Sequence, residues 1–119
     1  MQKKILICTD HGTLADAVSK WITNRNRDCE TATLVGKASE VAGRVETEVK
    51  EFNPNYLIAS YSNPIRAHEA VINEAKAAKR DISAYVFSGH PDVLDKPGEY
   101  KVFSDLYKIL TEIGVAEAA

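Results

Sequence analysis

The sequence predicts an α/β fold in which four or five parallel strands form a doubly wound sheet. Short, nearly continuous apolar runs recur along the chain, which is typical of strands covered on both faces. Longer stretches with apolar residues at helical spacing separate these runs. This alternation favours parallel pairing, because a connection between parallel strands must cross over one face of the sheet.

The first strand is predicted at Lys4–Cys8, where four apolar residues follow one another. A helix follows, beginning at Gly12 or Thr13 and ending within the polar stretch Asn24–Asp28. Its apolar residues recur at helical spacing and are Leu14, Ala17, Val18, Trp21 and Ile22.

The second strand is predicted at Thr31–Val35, where Gly36 stops it. The next helix is indicated by the helical spacing of Val41, Ala42, Val45, Val49 and Phe52. Ser39 is the predicted N-cap of this helix. Pro54 ends it, because the residue before a proline is pushed away from helical backbone angles.

The third strand is predicted at Tyr56–Ala59, and the fourth at Ile82–Phe87. The helix between them is predicted to begin at Pro64, since a proline in the first helical turn loses no hydrogen bond, and to end at Arg80. Lys76, Lys79 and Arg80 form a small basic cluster, which we expect at the solvated end of this helix.

The pattern weakens after the fourth strand. Residues 88–98 contain two prolines and two glycines and are predicted as a loop. Tyr100–Phe103 fits either a fifth, edge strand or the start of the last helix. That helix is indicated by the helical spacing of Val102, Phe103, Leu106, Ile109, Leu110 and Ile113, and residues 116–119 are predicted to fray.

Size and charge narrow the class of protein. The 119 residues suit one domain that spans residues 1–119. Hydrophobic residues make up 45% of the chain and charged residues 27%, as in an ordinary globular domain. The formal net charge of -2 provides no basic surface for a polyanion, so we expect no nucleic-acid partner.

The cysteines and the apolar runs bear on location and cofactors. Cys8 lies in an apolar run and is predicted to be a small buried hydrophobe. Cys8 and Cys29 form no CxxC pair, and His68 and His90 share no ligand spacing, so no metal or other cofactor is predicted. The apolar runs are far shorter than the roughly 20 residues that span a membrane. Two cysteines without a secretion signal favour the cytoplasm.

Two segments resemble the receiver domain of two-component response regulators. The segment Phe52–Pro64 resembles the helix end, third strand and following loop of that family. Ser60 occupies the position of the phosphate-accepting aspartate, and Cys8–Ala17 places Thr9 and Asp10 where receivers carry an acidic pair that holds Mg²⁺. The resemblance implies a flavodoxin-like, receiver-like fold without aspartyl phosphorylation, because a serine hydroxyl cannot form the acyl phosphate.

The residues after the fourth predicted strand also resemble a receiver domain. Ser88 matches the receiver hydroxyl that binds the phosphoryl oxygen. Lys96 precedes Pro97, as a receiver lysine does, but it follows Ser88 too soon for a full helix and strand between them. Lys101 is a second candidate for this lysine. The resemblance thus implies a pseudo-receiver with a shortened fourth helix region, which binds a protein partner or a second copy of itself through that remodelled face.

Two alternatives remain. The segment Ile7–Ala15 also resembles the active-site start of the mannose-type sugar phosphotransferase EIIA proteins, which implies a phosphoryl group carried on His11. A small neutral or anionic ligand bound at the strand ends by Asp10, Ser60, Ser62 and Ser88 is the third hypothesis.

Overall fold

A computed structural model describes residues 3–61 and 66–117. The helices and strands are, in chain order, β1 (Lys3–Thr9), α1 (Gly12–Arg25), β2 (Cys29–Val35), α2 (Ala38–Phe52), β3 (Tyr56–Ser60), α3 (His68–Ala78), β4 (Ser83–Phe87), β5 (Lys101–Phe103) and α4 (Leu106–Ile113).

The described residues form one five-stranded sheet with the order β2-β1-β3-β4-β5. Every neighbouring pair of strands in it is parallel. This order reverses direction between β1 and β3, as in flavodoxin-like doubly wound folds, which place their functional groups outside the carboxyl ends of the strands at that reversal. The predicted fold class is therefore confirmed, with a fifth strand.

Helices cover both faces of this sheet. One core layer joins the sheet to α2 and α3 through residues such as Leu6, Leu57 and Val71, all of them fully buried. The other layer joins it to α1 and α4 through residues such as Ile5 and Ile22. Burial on both faces explains why the central strands read as continuous apolar runs in the sequence.

Several predicted boundaries need correction. The N-cap of α2 is Lys37 and not Ser39, which lies inside the helix. β2 begins two residues before the predicted Thr31, because Cys29 and Glu30 pair with Lys3 and Lys4 of β1. The predicted helix start at Pro64 lies outside the described residues, and α3 is described from His68.

The structure decides between the two interpretations of Tyr100–Phe103 in favour of an edge strand, and the last helix begins at Leu106. Val102 and Phe103 pair with Val86 and Phe87 of β4 and therefore belong to a strand. The helix begins after Asp105, whose side chain accepts a hydrogen bond from the amide of Tyr107. Beyond the C-terminal end of this helix, the carbonyl of Glu117, in the tail predicted to fray, accepts a hydrogen bond from the Tyr107 hydroxyl.

Residues 88–100, here called the β4–β5 segment, take the place of a fourth crossover helix. They connect the end of β4 to the start of β5 and contain no helix. Val93 and Tyr100 are buried in the core layer beneath α2 and α3, so the segment covers the same face of the sheet that a helix would cover. The predicted shortening of the fourth helix region is thus confirmed.

The basic cluster at the end of α3 has a structural role. The Lys79 ammonium donates to the Pro54 carbonyl at 2.7 Å and to the Asn53 side chain at 3.0 Å. Lys76 donates to the carbonyl of Ile82 at 2.5 Å. These two side chains therefore hold α3 to the loops that flank β3 and β4, whereas Arg80, the third residue of the predicted cluster, is exposed as expected.

Candidate functional site

The carboxyl ends of β1 and β3 lie side by side in the sheet. Thr9 pairs with Ser60 in the register between these two strands. Asp10 follows Thr9 directly, so the remaining carboxylate of the predicted acidic pair lies next to the end of the strand that carries Ser60. Asp10, His11, Ser60, Tyr61 and Ser88 are together called the strand-end site below.

The turn between β1 and α1 positions Asp10 and His11. Thr9 is fully buried, and its side-chain oxygen accepts a hydrogen bond from the His11 amide at 3.1 Å. This bond fixes the turn and leaves the imidazole of His11 exposed at the N-cap of α1. One carboxylate oxygen of Asp10 is buried. The N-cap residue of α1 is thus His11, and the helix begins at Gly12, one of the two predicted starts.

Ser88 lies one residue beyond the end of β4. Its amide donates to the Phe103 carbonyl of β5, and its hydroxyl accepts a hydrogen bond from the His90 amide at 3.1 Å. The hydroxyl therefore stabilises the first turn of the β4–β5 segment. Ala59 pairs with Val86, so Ser60 is level with Phe87 and Ser88 lies just past it.

Lys96 lies in the β4–β5 segment, before β5. Its ammonium forms an ion pair with Glu69 in the first turn of α3. A receiver lysine lies at the other end of the fifth strand, where this chain carries Ser104 and Asp105. The second candidate, Lys101, begins β5 and pairs with Glu112 of α4 at 2.7 Å.

Tyr61 is a member of this site that the sequence pattern did not assign to the strand ends. Strand alternation turns its side chain toward the layer of α2 and α3, the layer to which Cys8 also belongs. Its hydroxyl is buried, and among the described residues it has no hydrogen-bond partner. Burial raises the pKa of this hydroxyl strongly, and electrostatic interaction with Cys8 and Asp10 raises it further. The ring thus brings a neutral phenol close to Asp10.

Ion pairs and a hydrogen bond hold the start of α3 against the β4–β5 segment. Arg66 donates to the carbonyl of Asp92 at 3.0 Å and lies 3.4 Å from the Glu69 carboxylate. Glu69 also pairs with Lys96, so the same carboxylate joins two cations. The hydrogen bond from Lys96 is the main reason why the pKa of Glu69 lies below its ordinary value. The Lys96 side chain therefore links the β4–β5 segment to α3, and it does not lie at the carboxyl end of β5.

The chemistry available at the strand-end site is limited. Ser60 offers a half-buried hydroxyl, Asp10 offers a carboxylate, and Tyr61 offers a phenol. Among the described residues no group of three or more His, Cys, Asp or Glu side chains could hold a metal ion. Ser62, which the small-ligand hypothesis also requires, lies outside the described residues.

The structure also bears on membrane spanning. Within residues 3–61 and 66–117, no helix combines the length and the apolar character that crossing a bilayer requires.

Comparison with known proteins gives no family for this chain. No protein-family model, no curated protein and no solved structure matches it significantly. The arguments for function therefore come from the fold and from the residues of the site.

Proposed function

We propose that this chain is a pseudo-receiver: a non-catalytic, cytoplasmic binding module of signal transduction that acts through protein contacts. The observation that carries the proposal is the residue at the end of β3. Ser60 lies beside the end of β1, where a receiver places its phosphate-accepting aspartate beside its acidic pair. A hydroxyl at this position cannot form an acyl phosphate, so the usual switch is missing.

The loss of carboxylates supports the same proposal. Mg²⁺ prefers several oxygen ligands and offsets the charge of a phosphoryl group. Thr9 replaces one member of the acidic pair, and it is buried and bonded to the turn that follows. With Ser60 at the acceptor position, Asp10 alone remains of the three carboxylates that the resemblance implies. One carboxylate and a neutral phenol make a poor site for a divalent cation.

The β4–β5 segment supports an interaction role. Leu94 is 62% exposed in this segment, which makes it the most exposed large apolar side chain of the described residues. The segment is held to α3 by Arg66 and Lys96, so Leu94 projects from a fixed backbone. An apolar side chain presented in this way is suited to insertion into a partner's pocket.

Phosphodonor treatment is expected to leave the protein unmodified. Intact-protein mass spectrometry after incubation with acetyl phosphate and Mg²⁺ measures this directly, with an active receiver domain as the positive control. We expect no added phosphoryl group on the wild type. An adduct on the wild type that both alkali and hydroxylamine remove would contradict the pseudo-receiver proposal, because it would show an acyl phosphate.

Replacement of Leu94 is expected to weaken partner binding. Leu94→Glu places a charge at the proposed contact and should lower recovery of a captured partner at least about tenfold, as expected when a central apolar contact is lost. Tyr107→Glu is the matched control, because Tyr107 is 45% exposed on the opposite face of the sheet, on α4. Equal recovery with wild type and Leu94→Glu would place the binding surface elsewhere.

A phosphocarrier that uses His11 is the second candidate. The observation that favours it is the exposed imidazole at the N-terminus of α1, where backbone amides and the helix dipole stabilise negative charge. In a phosphoenolpyruvate-driven relay, a phosphohistidine donor would then transfer one phosphoryl group to the protein. An adduct that His11→Ala removes and His90→Ala retains would replace the pseudo-receiver proposal with this one.

A further inference from the structure

The two edges of the sheet differ in a way that points to an interface. At one edge, β5 has three residues, and its outward amide at Val102 donates to the Asp95 side chain at 2.5 Å. This cap blunts the edge against pairing with another chain. At the other edge, β2 has seven residues and contains neither proline nor lysine.

The register identifies which groups of β2 point outward. The Lys3 amide donates to the Asp28 carbonyl, and the Gly36 amide donates to the Thr9 carbonyl, so residues 28 and 36 face β1. Backbone groups alternate along a strand, which turns the even-numbered residues toward β1 and the odd-numbered ones outward. The N–H and C=O groups of Thr31, Thr33 and Val35 therefore point away from the sheet, and no group of the described residues is hydrogen-bonded to them.

We propose that β2 pairs antiparallel with β2 of a second copy of this chain, about a two-fold axis at Ala32. The two sheets then form one continuous sheet, and the outward backbone groups of Thr31 and Thr33 in both strands are satisfied. This interface lies at the opposite edge of the sheet from the β4–β5 segment. The inference is independent of the proposed function, because it uses no residue of the strand-end site.

The side chains of β2 are complementary to themselves in this register. Thr31 lies opposite Thr33 of the second copy, and threonine pairs stabilise antiparallel strands. Cys29 lies opposite Val35, which covers a valine that is 41% exposed in the single chain. The only charged residue of the strand, Glu30, lies opposite Leu34, so no like charges face each other. A strand pairing with an unrelated peptide would not require this symmetry.

The neighbouring helix adds charge complementarity. The surface beside Leu34 is formed by α2 residues with small or charged side chains, namely Gly43, Arg44, Thr47, Glu48 and Glu51. β2 and α2 span nearly equal lengths of roughly 20 Å, so their midpoints are about level. A two-fold axis at Ala32 thus runs the two α2 helices antiparallel, with the midpoint Val45 of each copy at about the same level. Arg44 is then level with position 46 of the second copy, and Glu48 of that copy lies two residues, about 3 Å, further along the helix axis, within reach of the Arg44 side chain.

The oligomeric state tests the proposal directly. Sedimentation velocity of the full chain from about 1 µM to about 1 mM should show a monomer–dimer equilibrium. Thr33→Pro removes an outward N–H that the dimer needs and should weaken dimerisation at least about tenfold. Thr33→Val retains that N–H and the branched side chain and is the matched control. A wild-type monomer throughout this range, or a dimer unaffected by Thr33→Pro, would overturn the proposal.

Disulfide trapping tests the register and does not depend on the proline variant folding. Ala32 lies opposite itself, at a non-hydrogen-bonded pair whose Cα atoms are about 4.5 Å apart, within the range for a disulfide. Oxidised Ala32→Cys should therefore run as a covalent dimer. Glu30→Cys on the same face lies opposite Leu34 and should not cross-link. Equal cross-linking of both variants, or of neither, would exclude this register.

Discussion

Replacing Tyr100 by alanine is expected to lower the free energy of unfolding by about 3 to 5 kcal/mol, the usual cost of truncating a buried aromatic residue. Tyr100 is only 5% exposed, although it belongs to a segment without helix or strand structure. Its ring packs edge-on against His68, with ring centroids 5.2 Å apart at an angle of 86°. The side chain therefore fills the core space that a fourth helix would otherwise cover.

Urea denaturation followed by far-UV circular dichroism measures this effect. Tyr107→Ala is the matched control, because Tyr107 is 45% exposed and its loss should cost about 1 kcal/mol. Tyr100→Phe retains the ring and removes only the hydroxyl, which lies 3.3 Å from His68 Nε2, and should cost about 0.5 to 1.5 kcal/mol. Equal destabilisation by Tyr100→Ala and Tyr107→Ala would show that the segment does not contribute to the core.

Hydrogen exchange distinguishes local opening of the β4–β5 segment from global unfolding of the protein. If Tyr100 anchors the segment, hydrogen exchange should accelerate more in residues 88–100 of Tyr100→Phe than in β1 or β3. Leu94 is displayed by the same segment, so partner binding should weaken in parallel. Such a parallel change would show that packing of Tyr100 holds the β4–β5 segment in the conformation that presents Leu94 to a partner.

The sheet was predictable because its strands are covered on both faces. Burial requires apolar side chains on both sides of β1, β3 and β4, and the resulting runs are unlike helical periodicity. β2 was predicted too short, because an edge strand is less enclosed and its first residues include the exposed Glu30. Val102 and Phe103 fit both periodicities, and only pairing with β4 places them in a strand.

The candidate site was predictable only in part. Asp10, Ser60 and Ser88 follow predicted strands, and parallel strands bring their carboxyl ends to one edge of the sheet. Tyr61 directly follows Ser60, and this adjacency was the one available signal for it. The pairing of Lys96 with Glu69 joins residues 27 positions apart through a segment with no periodicity, so no local pattern could reveal it.

Acidification is expected to destabilise the protein through His68. This residue is 2% exposed, and burial is the main reason why the pKa of its imidazole lies below the ordinary value of 6.5. The nearby cations Arg66 and Lys96 lower this pKa further, whereas Glu69 opposes them. The folded state therefore binds a proton at His68 less readily than the unfolded chain does.

The direction of the pH dependence follows from this difference in pKa. Above pH 6.5 His68 is neutral in both states, and stability does not depend on it. As the pH falls below 6.5, the unfolded chain takes up a proton that the folded protein resists, so the free energy of unfolding decreases until the pH reaches the lower pKa of the folded state. Glu69 remains ionised in this range, because Lys96 holds its pKa below 4.5.

Urea denaturation between pH 7.5 and pH 5 tests this expectation. His68→Gln carries no ionisable group and should lose most of the pH dependence in this range, even if the variant is less stable at every pH. His90→Gln is the comparison variant, since it replaces an exposed histidine of the same β4–β5 segment by the same amide. Should His68→Gln retain the wild-type slope, the acid sensitivity would come from other groups. A slope removed by His68→Gln alone would assign it to the buried contact between α3 and Tyr100.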